Sequence, residues 1–350
     1  MARGQTRVSF ALLKREITIA GGGLAGLSLA SGLRLRGVPV TVIEAGNYPR
    51  HRVCGEFISG VSRETLTSLG ISRLFEDALR HQSVAWYDGG RLIHRDRLER
   101  PALGISRYRL DERLRHHAES LGVDLKTLTR ARPYPRDGLV WTAGRRPCHG
   151  TWLGLKAHVR GLSKSADLEM HAGKNGYAGL AGVEEGWTNV CGLFRLDRSI
   201  QPTGADLLPA YLEAGGNQDL ARQLRDCEWR ERSFSAVAGF ELGRQTPLPG
   251  LLTLGDAESM IPPFTGNGMS MAFQAAEIAL GPLTDWSRDE RSWQDAANAV
   301  RAALKKKFKL RLAVSGALHP FLLKSGGKSL LQSLASASLL PFQSMLTLVR

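Results

Sequence analysis

The run Ile17-Thr18-Ile19-Ala20-Gly21-Gly22-Gly23-Leu24-Ala25-Gly26 leaves this chain few folds to adopt. Ile17 to Ala20 is a short apolar stretch of the kind that forms a strand buried on both faces. Gly21, Gly23 and Gly26 then fill the three positions of a G-x-G-x-x-G turn. The first permits a tight turn, the second lets backbone approach a pyrophosphate, and the third lets a helix pack on the strand. The spacing predicts a helix from about Leu24 to Arg36, ended by Gly37, with its positive N-terminus aimed at the pyrophosphate. Val40-Thr41-Val42-Ile43 is a second strand, and Glu44 closes it about twenty residues after the glycines. A carboxylate there can bind both ribose hydroxyls of an ADP group and disfavours a 2′-phosphate. Gly21, Gly23, Ala25, Gly26 and Glu44 are therefore candidate ligand residues, and the ligand is NAD or FAD.

A second segment separates these two. Leu251-Leu252-Thr253-Leu254 runs into Gly255-Asp256-Ala257, then Pro262-Pro263-Phe264-Thr265-Gly266-Asn267-Gly268. A helix follows, carrying Met269, Met271, Ala272, Ala275, Ala276 and Ala279, small enough for close packing. Asp256 at a strand end can accept a hydrogen bond from a ribityl hydroxyl. The amides of Gly266, Asn267 and Gly268 can face a pyrophosphate or the negative edge of a reduced isoalloxazine.

With these segments the chain resembles the FAD-dependent monooxygenase and geranylgeranyl-reductase group, in pieces from Ile17 to Leu280. Pro49-Arg50-His51-Arg52-Val53-Cys54-Gly55-Glu56 is similar to the segment that the group places after its second strand. Ser106-Arg107 with Leu110-Asp111 resembles its Ser-Arg-x-x-Leu-Asp. The resemblance implies FAD as cofactor, with Arg107 near the phosphates and Arg52 beside them. Cys54 in the same turn is a candidate for the isoalloxazine pocket. Gly144-Arg145-Arg146 resembles the glycine that lies beside the adenosine side of FAD. The group's ring hydroxylases carry an Asp-Gly followed by Ser and Arg. Asp137-Gly138 is not that motif and reads as a turn. The tryptophan motifs of flavin halogenases and archaeal prenyl reductases are also missing.

The middle of the chain changes period. From Trp152, residues alternate with a spacing of two. Tyr177–Val183 and Thr188–Phe194 flank the turn Glu184-Glu185-Gly186, and Ser235–Phe240 adds a short strand. This is an antiparallel layer, which the resemblance makes the floor of a substrate cavity. Lys156 and His158 share one face of it and are candidate catalytic residues, facing either that cavity or solvent. Leu110, Leu114, Ala118 and Leu121 repeat at helical spacing, with Gly122 as stop; His116-His117 falls on the solvated side of that helix.

Charge and cysteine content narrow the partners. The 47 Lys and Arg exceed the 33 Asp and Glu, for a net charge of +14. This suits an arginine-rich surface, an anionic cofactor, an anionic substrate or an acidic lipid surface. No nucleic-acid motif accompanies it. Cys54, Cys148, Cys191 and Cys227 lie far apart without metal-ligand spacing, which fits a reducing cytosol and no metal site. No signal peptide or membrane span is expected. Residues 1–16 read as a loose basic leader around Phe10-Ala11-Leu12-Leu13. Near the C-terminus, Lys305-Lys306-Lys307 and Lys309 precede Ala313 to Phe321. Leu330, Leu331, Leu334, Leu339, Leu340, Met345, Leu346 and Leu348 follow, interrupted by Pro341. They suit a cap over a greasy substrate or a peripheral membrane face.

The reading is an α/β protein with a Rossmann-like FAD/NAD(P)-binding fold, an inserted antiparallel β-sheet substrate layer and a helical C-terminal cap. The flavin domain takes 17–150 and 246–285, the layer 151–245 and the cap 286–350. The expected function is cytoplasmic FAD-dependent redox chemistry on a hydrophobic or aromatic small molecule, with NADH or NADPH as electron donor. A monooxygenase is the first reading. A geranylgeranyl-reductase-like reductase of C=C bonds is the second, and a catalytically weakened FAD-binding protein the third.

Overall fold

In the computed structural model, residues 14–336 are described, apart from 247. Phe10 to Leu13 and the leucines from Leu339 onward, with Met345, lie outside the described residues.

Two sheets organise the chain. The first has five parallel strands in the order Leu252–Thr253, Leu139–Trp141, Ile17–Ala20, Val40–Ile43, Asp124–Lys126. Its centre is buried on both faces, with Ile17, Ile19 and Val42 on one and Ala20 and Leu139 on the other, as a parallel sheet covered on two sides requires. The helix Leu24–Leu35 follows the glycine turn and is buried along almost its whole length. It packs on the helix Gly268–Ser287 through small residues. A Cβ at Gly32 would come within 2.7 Å of Leu280 Cδ2, so this contact needs a glycine. The last strand and the helix after it thus return from residue 251 onward to complete a sheet begun at residue 17. The flavin-binding fold is discontinuous, as expected.

The second sheet has nine strands. Trp152–Arg160, Thr188–Arg195, Gly176–Gly182 and Leu168–Ala172 form its antiparallel centre. Leu79–Asp88 joins it through a parallel pairing with Leu168–Ala172. The long strand Arg91–Gly104 and the short Phe57–Ile58 extend the edge. Those three strands come from within 17–150, so the layer is wider than the stretch 151–245. Their sequences, rich in Arg and His, carry no clean apolar alternation.

Each face of this sheet has its own cover. Leu155, Ala157, Val190 and Leu180 pack under the helices Leu207–Ala214 and Gln218–Asp226, against Leu208, Tyr211, Leu220 and Leu224. The register puts Lys156, Cys191, Gly179 and Met170 side by side on the opposite face, toward the first sheet. The C-terminal helices Trp293–Leu323 and Ser325–Ser336 follow. The former packs on Gly268–Ser287, burying Trp293, Val300, Leu304 and Phe308 in the same core. No helix among the described residues is long and apolar enough to cross a membrane.

Candidate functional site

A cavity of about 1160 Å³ runs between the two sheets. One end is built by the glycine turn. Gly21 has φ of 111°, and a Cβ there would lie 2.5 Å from the Thr142 backbone, so only glycine fits. Gly26 lies beneath it, where a Cβ would meet Gly21 O at 2.0 Å, whereas a Cβ on Gly23 would meet nothing within 4 Å. Gly21 and Gly26 therefore close the turn, and Gly23 keeps open the space above it. No side chain caps the helix that starts at Leu24, and Gly23, Leu24 and Ala25 line the cavity. Its free amides face that space. Thr142 Oγ1 donates to Gly21 O at 2.6 Å and Tyr48 Oη donates to Gly22 O at 2.5 Å, bracing the turn from both sides.

Glu44 lines the same end. Its Oε2 accepts from Gly22 N at 2.8 Å, and its Oε1 accepts from Gly46 N and from Arg50 Nη2, both at 2.7 Å. Burial raises its pKa, but these amides, with Arg50 and Arg52, outweigh burial and hold the carboxyl below its ordinary value. A carboxylate has about four acceptor sites, so the protein takes three and leaves one for a ribose hydroxyl.

Arginines gather next to it. Asp111, fully buried, accepts from Arg107 Nε at 2.7 Å, Arg107 Nη2 at 2.9 Å and Arg52 Nε at 3.0 Å. Burial opposes the charge of Arg107, yet Asp111 more than compensates and keeps that guanidinium protonated. Burial, with repulsion from Arg107, lowers the pKa of Arg52. Arg50, Arg52, Arg107 and Arg145 all line the cavity. The buried Arg50 Nε, Arg52 Nη2 and Arg145 Nε have no hydrogen-bond partner among the described residues. Unpaired buried guanidinium donors are costly, and a diphosphate is the group that satisfies them. Asp256 faces this cluster from the distal strand. Burial raises its pKa, and Arg107, Arg145 and Arg52 partly offset that.

The helix that starts at Gly268 also points here, with Gly266, Gly268, Met269 and Ala272 on the wall. Asn267 is fully buried and, like Gly26, belongs to the support behind the wall rather than to the wall itself. The turn, Glu44, the arginines and Asp256 thus fit FAD, and sequence reasoning named most of them. It passed over Arg50, Tyr48 and Thr142, whose roles follow from through-space contacts with the turn.

The other end is apolar. Val84, Trp86, Leu98, Met170, Tyr177, Leu193, Val237, Phe240 and Phe264 line it. Cys54 and Cys191 reach the wall as well. Burial raises the pKa of both thiols, which favours the neutral thiol over the thiolate.

Lys156 and His158 face the flavin domain, not solvent, and neither lines the cavity. Both are fully buried against Glu56, with Lys156 Nζ 3.2 Å from Glu56 Oε1 and His158 Nε2 2.5 Å from Glu56 Oε2. Burial raises the Glu56 pKa, but the hydrogen bond from His158 and the charge of Lys156 outweigh it and keep the carboxylate ionised. Glu56 itself has φ of 56°, a left-handed conformation that costs a glutamate about 1–2 kcal/mol.

Comparison with known proteins agrees with this geometry. Residues 14–147 match the model of the FAD binding domain family. Menaquinone reductase of Mycobacterium tuberculosis is 24% identical over 329 residues, covering 79% of this chain and 78% of that protein. The structure of p-nitrophenol 4-monooxygenase PnpA from Pseudomonas putida superposes with a TM-score of 0.75 at 14% identity, covering 96% of this chain and 97% of that one. PqsL of Pseudomonas aeruginosa, in complex with 2-aminobenzoylacetate, gives 0.71 at 16% identity, covering 91% of this chain and 99% of that one. The fold is shared with these two solved structures.

Proposed function

We infer that this chain, an FAD-dependent oxidoreductase built on the FAD binding domain, is a flavin monooxygenase for hydrophobic or aromatic small molecules. The observation that carries this is the single cavity whose charged end fits the diphosphate and whose other end is a wall of Trp, Tyr, Phe, Leu, Val and Met. FAD, reduced by NADH or NADPH, supplies the electron transfer and the activation of O₂.

The chain's own residues perform the rest. Arg52, Arg107 and Arg145 would hold the diphosphate, and Glu44 one ribose hydroxyl. The amides before the helix that starts at Gly268 would stabilise negative charge on the ring system. The apolar wall orients the substrate and excludes water, which protects reactive species from hydrolysis. No pair of carboxylates or nucleophile–base pair is needed for this chemistry.

The second reading, reduction of a C=C bond in a quinone or prenyl compound, draws on the similarity to menaquinone reductase along 79% of the chain. Oxygen separates the two. Oxygen uptake stoichiometric with hydroxylated product supports the monooxygenase. Substrate turnover under strict anaerobiosis, with no oxygen incorporated, would overturn it in favour of the reductase. The C-terminal lysines, exposed on the helix Trp293–Leu323, also suit contact with an anionic surface; vesicle flotation tests that contact.

A further inference from the structure

Among the polar residues on the cavity wall, His51 makes no hydrogen bond to the arginine cluster. His51 lies between Arg50 and Arg52, and its ring lines the wall. Three neighbours define its pose. Tyr108 stacks on it at 4.7 Å between centroids and 28° between planes. His158 meets it edge-on at 5.0 Å and 87°. Lys156 Nζ is 3.0 Å from His51 Nδ1.

This contact decides the tautomer. An ammonium only donates, so Nδ1 must accept and the ring proton resides on Nε2. Burial lowers the His51 pKa to about 3, helped by the charge of Lys156, so the ring is neutral in the working range. Lys156 is itself anchored by Glu56, and Glu56 by His158 and by the Arg107 amide at 3.0 Å. Lys156, Glu56 and His158 are all fully buried. The left-handed backbone at Glu56 is the conformation that places its carboxylate under Lys156. His51 is the member of this line on the cavity wall, and its Nε2–H has no hydrogen-bond partner among the described residues.

We propose that His51 is the polar recognition residue of the substrate chamber: its Nε2–H, set by Lys156, donates to a carbonyl or phenolic oxygen of an otherwise apolar ligand. Lys156 is a positioning residue, and Glu56 and His158 hold it in place. The ligand class is thereby narrowed from apolar molecules in general to ring compounds with an acceptor oxygen. The inference rests on reading the cavity as a joint flavin and substrate chamber.

The test uses the FAD-loaded, oxidised protein with two probes of one shape, 1,4-naphthoquinone and naphthalene, titrated by changes in the flavin absorbance. A buried donor meeting an acceptor makes the quinone bind about 10-fold more tightly. His51→Phe keeps the stacking on Tyr108, so it should abolish that preference and leave FAD affinity within about twofold. Nitrogen-15 NMR of labelled histidines should show the Nε2–H tautomer for His51. Lys156→Met should release it toward a tautomer mixture even if that variant is less stable. Equal preference in wild type and His51→Phe overturns the inference, as does an Nδ1–H tautomer in wild type. Loss of FAD affinity in His51→Phe, with the probe preference unchanged, also overturns it and assigns His51 to the cofactor. A wild-type protein that takes up no FAD instead refutes the functional reading beneath it.

Discussion

Asp111→Asn is the sharpest probe of the charged end. The carboxylate is fully buried and receives three charge-assisted hydrogen bonds, two from Arg107 and one from Arg52, at 2.7 to 3.0 Å. Asparagine keeps the volume and one acceptor oxygen but removes the charge and sets an amide donor against a guanidinium. Breaking a buried pair by neutralising one partner costs about 3–5 kcal/mol, because the other charge stays buried. Two guanidinium groups share this one carboxylate, so the upper half of that range is expected for the apoprotein. Urea unfolding followed by circular dichroism measures it. Affinity for FAD should fall, since Arg52 and Arg107 lose their common orientation, so a given concentration of FAD should stabilise the variant by less than it stabilises wild type. A loss under about 1 kcal/mol without FAD would refute the reasoning, as it would mean that the arginines reach water or another anion.

Other perturbations separate scaffold from site. Gly23→Ala should cost the apoprotein no more than about 1 kcal/mol, the scale of an N-cap change, yet weaken FAD binding at least about 10-fold by fluorescence titration. Gly26→Ala should destabilise the apoprotein itself, because its Cβ would meet Gly21 O at 2.0 Å; equal melting temperatures for the two would sink the distinction. His319, packed against Trp152, Tyr177 and Phe264, has its pKa lowered to about 4 by burial. A lowered histidine pKa contributes stability present above the unfolded value of 6.5 and lost as pH falls from there toward about 4. His319→Phe should remove that slope from stability curves between those two pH values, a change on the order of 1–3 kcal/mol at the acid end. Gly179→Leu places a side chain on the cavity face beside Met170 and Cys191. It should abolish binding of a bicyclic aromatic while FAD affinity is kept, and unchanged binding of that probe would move the substrate chamber elsewhere.

Much of the flavin half was legible in order along the chain. The glycine turn, its helix, the acid at position 44 and the distal Gly-Asp segment each carry a local signal, because each answers a local backbone demand. Gly122 ends the helix Arg107–Ser120 with φ of 83°, as the residues predict, and its N-cap is Ser106, which accepts from Arg109 N. The two strands from 79 to 104 were not legible. They are largely polar, half-exposed strands, and Leu79–Asp88 is held by pairing with Leu168–Ala172, 84 residues away. Glu56 was equally silent, since a glutamate after Cys-Gly has no pattern that distinguishes a solvated turn from a buried anchor.

The sequence by itself pointed to a dinucleotide held at a strand–turn–helix and to a sheet of another period, through steric and periodic rules that act within about twenty residues. FAD as that dinucleotide came from the distal Gly255-Asp256 segment and the family resemblance it carries. Only the tertiary structure decided which way Lys156 and His158 face, that they meet Glu56, and that His51 alone of that cluster opens on the cavity. Alternation assigns two residues to one face of a strand but does not say what covers that face. Here the cover is a loop about a hundred residues earlier, and the charges it brings decide the chemistry of the residues beneath it.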